Sequence, residues 1–231
     1  MFIGHRFLIN IFLIFFSACI SAESNQFDEI SDIEGVFLDF NYPDKKVQMI
    51  ADRTFILSDE VFELQGVSIT SESADKTLNI NSSIATYDQS SNKIYMEDSV
   101  KFQTKFKDKQ IVITSEKLQY DIHEENLRGY ERSIVTFNDL KVISSNFSFM
   151  QSGEDIKAIF QDGKISINLS NEISTGMANK VTVFFNRNEV FLEGDATFGQ
   201  DGLLIKSDFI HYDISKNKIV KSLNSNIEKS I

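Results

Sequence analysis

One short turn sequence is written twice in this chain, and it belongs to a unit that recurs along nearly the whole length. YDQSSNKIY begins at Tyr87, and YDISKNKIV begins at Tyr212. A small residue stands five positions before each tyrosine, and the same spacing recurs elsewhere. The small residues are Ala51, Ser82, Ser115, Ser145, Ala178 and Ser207, at intervals of 29 to 33 residues. Such a repeat constrains the fold strongly, because each unit exposes an apolar face that it buries only by stacking on its neighbours.

Alternating side chains identify the unit as β-structure. In VKFQ, Val100 and Phe102 fall on one side of an extended chain, and Lys101 and Gln103 fall on the other. Apolar residues make up 42% of the chain and 21 of them are phenylalanine, a composition that favours pleated, half-buried surfaces. The residues between such stretches are mainly Asp, Asn, Ser and Lys, which suit hairpin turns. The pattern predicts a dozen or more short antiparallel strands.

Longer stretches repeat as well. IYMEDSVKF, which begins at Ile94, matches VFLEGDATF, which begins at Val190, an offset of 96 residues. IVITSEKLQYD from Ile111 matches LLIKSDFIHYD from Leu203, an offset of 92 residues. The difference falls inside the intervening turn, where the length of a hairpin loop changes without moving the strands.

These stretches resemble the repeats of the periplasmic lipopolysaccharide-transport proteins LptC and LptA, also called OstA-like. In that family a hydrophobic strand ends in Gly-Asn-Val, and VFLEGDATF has Gly194 at the glycine and Asp195 where asparagine is usual. In IYMEDSVKF, Asp98 replaces the glycine. Residues 31–170, with VQMIADRTFIL and ISSNFSFM, are most similar to LptC. Residues 171–231 are similar to an LptA-type continuation of the same sheet.

The resemblance implies a twisted, open antiparallel β-jellyroll whose interior groove holds the acyl chains of lipid A. It also implies that units stack edge to edge between the inner and outer membranes, and that a separate ATPase, in an inner-membrane ABC transporter complex, drives the lipid along. The candidate groove residues are Val100, Phe102, Ile111, Ile113, Phe147, Phe149, Val190, Leu192 and Phe198. The candidate docking residues on the edge strands are Val47, Met49, Ile210 and Tyr212.

Two other classes of protein fit the same alternation. Strands rich in Phe, Ile and Val also fill an ordinary closed core, which would make the chain a structural or adhesive envelope protein with a dry interior and no ligand. A carbohydrate-active β-solenoid enzyme is a third interpretation, although such solenoids favour more glycine than the 10 present here. Whether the chain acts as LptC, as LptA or as both stays open at this point.

The first 22 residues have the order of a secretory signal peptide. Arg6 precedes an apolar run, and small residues follow up to Ala22. Three outcomes are compatible with this order: cleavage after Ala22, acylation at Cys19 in the lipobox-like FSAC, or retention as an inner-membrane anchor. All three predict export to the periplasmic side of the envelope. Cleavage after Ala22 would also leave no cysteine for disulfides or nucleophilic chemistry.

The charge excludes some partners. The formal net charge of -11 repels nucleic acid. The same charge predicts that lipid A phosphates are not bound directly, so that acyl chains supply the affinity and the headgroup faces solvent and divalent ions.

Catalytic and metal-binding patterns are weak in this sequence. The three histidines, His5, His123 and His211, do not have the spacing of metal ligands. The adjacent carboxylates Glu124 and Glu125 are explained by a solvated turn, and there is no Gly-x-Ser-x-Gly elbow. We therefore predict no catalytic residue, no metal, no cofactor and no enzymatic activity.

Overall fold

The structure is a computed structural model that describes residues 32–74, 76–106, 109–152, 155–169 and 172–229. These residues form a single antiparallel sheet of fourteen strands. The strands are β1 (Asp32–Asn41), β2 (Lys45–Ser58), β3 (Val61–Ser73), β4 (Lys76–Asp88), β5 (Lys93–Phe106), β6 (Lys109–Asp121), β7 (Leu127–Phe137), β8 (Leu140–Ser152), β9 (Asp155–Leu169), β10 (Glu172–Phe184), β11 (Glu189–Gln200), β12 (Leu203–Asp213), β13 (Lys218–Leu223) and β14 (Asn226–Lys229). The predicted signal segment lies outside the described residues. Within the ranges just given, no helix is long and apolar enough to span a membrane.

The strands follow one another across the sheet in chain order. β1 to β13 lie side by side, and β14 pairs with β12 on the same side as β13. The sheet does not close on itself among the described residues, so the predicted all-β, open antiparallel fold is confirmed. The boundary predicted at residues 170–171 falls between β9 and β10, which pair along nearly their whole length. The division into an LptC-like and an LptA-like region stays a prediction.

Most strands are longer than predicted from the sequence. Each continues through a bend at which the alternation of apolar and polar residues is interrupted, and this interruption predicted the end of a strand. β5, for example, runs through Asp98 and Ser99, whose φ angles are 60° and 59°. Positive φ angles recur in the middle of the odd-numbered strands, at Gly35, Gly66, Asp98, Ser99, Glu131, Asp162, Gly194 and Asp195. Asp98 therefore supplies the same bend as Gly194, where φ is 74°. We call this line of bends across the sheet the crease.

Buried serines mark the crease on four of the six even-numbered strands from β2 to β12, and their contacts account for the small residue in those four units; β2 and β10 have Ala51 and Ala178 there. Ser82 Oγ lies 2.6 Å from the carbonyl oxygen of Ile84 and 2.8 Å from that of Glu97 on the next strand. Ser115, Ser144 and Ser207 make the same pair of contacts on β6, β8 and β12. At each of these sites the ladder is bulged, and the single hydroxyl hydrogen is placed to donate to either of two carbonyl oxygens on adjacent strands. In the fourth unit the serine is Ser144, five positions before Phe149, and not Ser145 as predicted.

The crease divides the sheet into two walls that pack face to face. The first wall contains the C-terminal halves of the odd strands and the N-terminal halves of the even strands, and the second wall contains the other halves. Phe102 of the first wall contacts Phe149 of the second, with ring centroids 5.5 Å apart, and Phe137 contacts Phe185 at 5.1 Å. Phe102 and Phe149 lie on strands three places apart, and Phe185 lies in the turn that follows β10, three places after the β7 strand of Phe137. The resulting core is continuous from β2 to β12.

Candidate functional site

All nine predicted groove residues lie in the interior between the two walls. Five belong to the first wall and four to the second, and none is more than 4% exposed. The first group is Val100, Phe102, Ile111, Ile113 and Phe198, and the second is Phe147, Phe149, Val190 and Leu192. Strand alternation therefore identifies the correct face of the sheet. The contact of these residues with a lipid stays a prediction.

The interior is filled by side chains in this conformation. The nine side chains are almost completely inaccessible to water, and an acyl chain is wider than a water molecule. The two walls must therefore separate before a chain can lie between them. They are continuous polypeptide at the crease, so they can part only along the opposite side, where, in the part of the chain that the structure describes, strand ends and turns of the first wall lie against those of the second. We call this line the seam.

One glutamate joins the two walls at the seam. Glu125, in the turn between β6 and β7, receives a hydrogen bond of 2.6 Å from Ser71 Oγ and one of 2.8 Å from Lys76 Nζ. Lys45 Nζ lies 3.8 Å from the same carboxylate. The side chains of Lys45 and Lys76 are only 8% and 7% exposed, and that of Glu125 is 16% exposed. The seam thus contains a largely buried cluster of charges.

Two lysines also bind backbone oxygens across the seam. Lys45 Nζ donates to the carbonyl oxygens of residues 122–123 at 3.0 and 2.7 Å. Lys109 Nζ donates to those of residues 185–186 at 2.9 and 3.2 Å, and to Asn188 Oδ1 at 3.1 Å. Lys45, Lys76 and Lys109 are the first residues of β2, β4 and β6, so they stand in line along one edge of the first wall.

Burial and charge act in opposite directions on these groups. Burial alone raises the pKa of Glu125, but Lys76, Ser71 and Lys45 together outweigh it and hold that pKa below its usual value. Burial lowers the pKa of Lys45 even though Glu125 acts to raise it, and burial also lowers the pKa of Lys109. The carboxylate is thus stabilised by its partners, whereas the partners of Lys45 and Lys109 do not fully compensate these two ammonium groups for lost hydration.

Local sequence patterns did not indicate this cluster. The adjacent carboxylates Glu124 and Glu125 predicted a solvated turn, which is correct for Glu124, whose side chain is 62% exposed, and wrong for Glu125. The available signal was the lysine spacing, because each of the three lysines stands six positions before the small residue of its repeat unit. In the next three units that position holds Asn138, Glu172 and Asp201.

The predicted docking residues do not lie on edge strands. Val47 and Met49 belong to β2, which pairs with both β1 and β3, and they are 0% and 1% exposed. Ile210 and Tyr212 belong to β12, which pairs with β11 on one side and with β13 and β14 on the other. The prediction placed the edge strands at the first and last stretches with regular alternation, and the structure has further strands beyond both of them. The edges among the described residues are β1 at one end and β13 with β14 at the other.

Among the described residues, no group of three or more His, Cys, Asp and Glu side chains is placed to hold a metal ion. No protein-family model matches the sequence, and no curated protein matches it. Among solved structures, the chain is similar to LptH from Pseudomonas aeruginosa, described as the LptA-homologous periplasmic component of a conserved lipopolysaccharide transport device. The two chains are 14% identical, the alignment covers 52% of this chain and 94% of LptH, and the TM-score is 0.46.

Proposed function

We propose that this chain is a periplasmic lipopolysaccharide-binding component of the bridge that carries lipopolysaccharide from the inner to the outer membrane. It holds the acyl chains of lipid A between its two walls and acts with other transport proteins and an inner-membrane ABC transporter. One observation carries the proposal: the apolar interior is continuous from β2 to β12 and is closed by covalent structure on one side only. The resemblance of the repeats to LptC and LptA supports it.

Binding exchanges one set of apolar contacts for another. When the walls part at the seam, side chains that packed across the interior come to lie against acyl chains. Each buried CH₂ group contributes about 0.8 kcal/mol, which offsets the contacts that are lost between the walls. Such contacts are non-directional, so a lipid can move along the sheet from strand to strand without breaking a specific bond.

Photo-crosslinking in cells tests the interior directly. A photoreactive amino acid at Phe102, Phe149 or Phe198 is expected to capture lipopolysaccharide, because these side chains point between the walls. The matched controls are the adjacent outward residues Lys101, Ser148 and Thr197, which are expected to capture none. The captured lipid is detected by immunoblot and mass spectrometry. Equal capture on both faces would contradict binding in the interior.

A second candidate function is a structural envelope protein with a dry core. The near-complete burial of all nine predicted groove residues favours this alternative. The same crosslinking experiment decides between the two functions. No capture from any of the six positions, in variants that fold normally, would make the structural function the better conclusion.

The proposal also includes docking of partner proteins through the sheet edges. Adjacent residues of an edge strand direct their N–H groups alternately toward the sheet and outward. Proline at Phe37 and, separately, at Leu38 of β1 therefore removes one inward and one outward donor. The variant that removes an outward N–H group should stay folded but should no longer co-purify with lipopolysaccharide-transport proteins. The variant that removes an inward N–H group should lose stability, because it breaks a hydrogen bond to β2. Undiminished co-purification by both variants would count against docking at β1.

A further inference from the structure

The seam lysines suggest a second element of recognition that the acyl chains do not supply. We propose that Lys45, Lys76 and Lys109 form a cationic lip that binds the phosphate groups of the lipid headgroup. This inference rests on the proposed function, because it places the acyl chains of the same lipid between the walls. It predicts direct recognition of phosphate, where the net charge of -11 predicts none.

The lip has more positive charge than its neighbours balance. Among the described residues, Glu125 is the one carboxylate within 4.0 Å of the three ammonium groups. Asp44 and Asp121 act on Lys45 only from longer range. The described acceptors of Lys109 are all neutral. A phosphate oxygen is a stronger partner for such an ammonium group than a carbonyl oxygen is, because the hydrogen bond gains from charge on both sides.

Opening of the seam would make these ammonium groups available. The hydrogen bonds of Lys45 and Lys109 to the second wall are themselves seam contacts, so they break when the walls separate. The lysines then stand at the edge of the first wall. A lipid whose chains lie between the walls has its headgroup at this edge. The headgroup would therefore take the place of the second-wall acceptors.

The spacing of the lysines suits a headgroup with more than one anionic group. In the closed seam the ammonium groups of Lys45 and Lys76 both approach Glu125. Their strands, β2 and β4, have one strand between them and lie about 10 Å apart across the sheet, as do β4 and β6. This distance is comparable with the length of a disaccharide, so a disaccharide with a phosphate at each end can contact two neighbouring lysines. The net charge of the whole chain does not prevent this contact, because charges beyond about 8 Å are largely screened at physiological ionic strength.

Binding of lipid A by the purified full chain tests the lip. Lipid A with both phosphates is compared with enzymatically dephosphorylated lipid A by native mass spectrometry. The unmodified chain is expected to bind the phosphorylated lipid roughly tenfold or more tightly, because hydrogen bonds to charged groups are the strong ones. A variant with Lys45, Lys76 and Lys109 all changed to Met should lose this preference. The control variant has Met at the exposed positions Lys101, Lys141 and Lys164 and should keep it.

Two results would overturn the lip. One is equal affinity of the unmodified chain for the two lipids while a probe at Phe102 still captures both, which leaves the proposed function intact. The other is equal reactivity of the three lysines toward an amine reagent when either lipid is bound. This measurement uses the unmodified chain and therefore does not depend on the folding of a variant. Protection by the phosphorylated lipid alone supports the lip. Failure of the Phe102 probe to capture either lipid would instead contradict the proposed function.

Discussion

Arginine in place of Phe102 is expected to unfold most of the sheet at room temperature. Phe102 is 0% exposed, and its ring packs against Phe149 across the interior. Loss of a buried aromatic side chain costs about 3–5 kcal/mol, and a charged group without a partner in an apolar interior adds several more. Because a domain is stable by only about 5–15 kcal/mol, the substitution removes much or all of the free energy of unfolding.

Urea unfolding followed by circular dichroism measures this effect. Lys101→Arg is the control, since Lys101 is exposed and the change should alter the free energy of unfolding by no more than about 0.5 kcal/mol. A Phe102→Arg variant that remains as stable as the unmodified chain would mean that water already reaches the interior in solution. The walls would then separate without help from a ligand.

Glutamine in place of Glu125 is expected to weaken the seam strongly. It leaves Lys45 and Lys76, only 8% and 7% exposed, without their shared carboxylate. Removing one partner of a buried ion pair costs about 3–5 kcal/mol, and we expect the lower end because Glu125 is 16% exposed. Glu124→Gln is the matched control and should change stability little. Equal urea midpoints for the two variants would contradict a structural role for the seam cluster.

The effect of Glu125→Gln on the free energy of unfolding is expected to depend on pH. The pKa of Glu125 is lower in the folded chain than its usual value, so its contribution to stability is fully present above the unfolded pKa of about 4.3. The contribution is lost as the pH falls through the folded pKa. The difference in free energy of unfolding between the unmodified chain and Glu125→Gln should therefore shrink in acid. A difference that stays constant down to the acid unfolding of the chain would show that another group is responsible.

Local alternation was enough to predict the interior, and it was not enough to predict the seam. Side chains two apart on a strand share a face whatever the rest of the chain does, so Phe147 and Phe149 could be placed from their own stretch of sequence. The seam contacts join residues far apart in the chain, such as Lys45 with residues 122–123. No local pattern indicates such a partner. The lysine spacing acquires meaning only when the strands are known to start at one edge of a folded sheet.

The one-residue error at the crease has a similar origin. Ser144 and Ser145 are both small, and both precede an alternating stretch. The hydrogen bonds of Ser144 Oγ to residue 146 and to Gln161 on the next strand distinguish them. The position of the backbone bend determines which of the two serines lies at the crease, and residue type alone does not indicate that position.

The contacts of β1 with β4 and of β5 with β8 have a consequence for how the chain folds from its N-terminus. Phe40 on β1 meets Tyr87 only when β4 has been added, and Phe102 on β5 must wait for β8. A chain that folds from its N-terminus therefore leaves the inner face of β5 without this cover until β8 has been added. The part of the interior that was formed earlier is already covered while later strands are still being added. A truncation before β8 would thus expose the inner face of β5 as well as delete that of β8, so loss of this one strand removes two apolar faces from the interior.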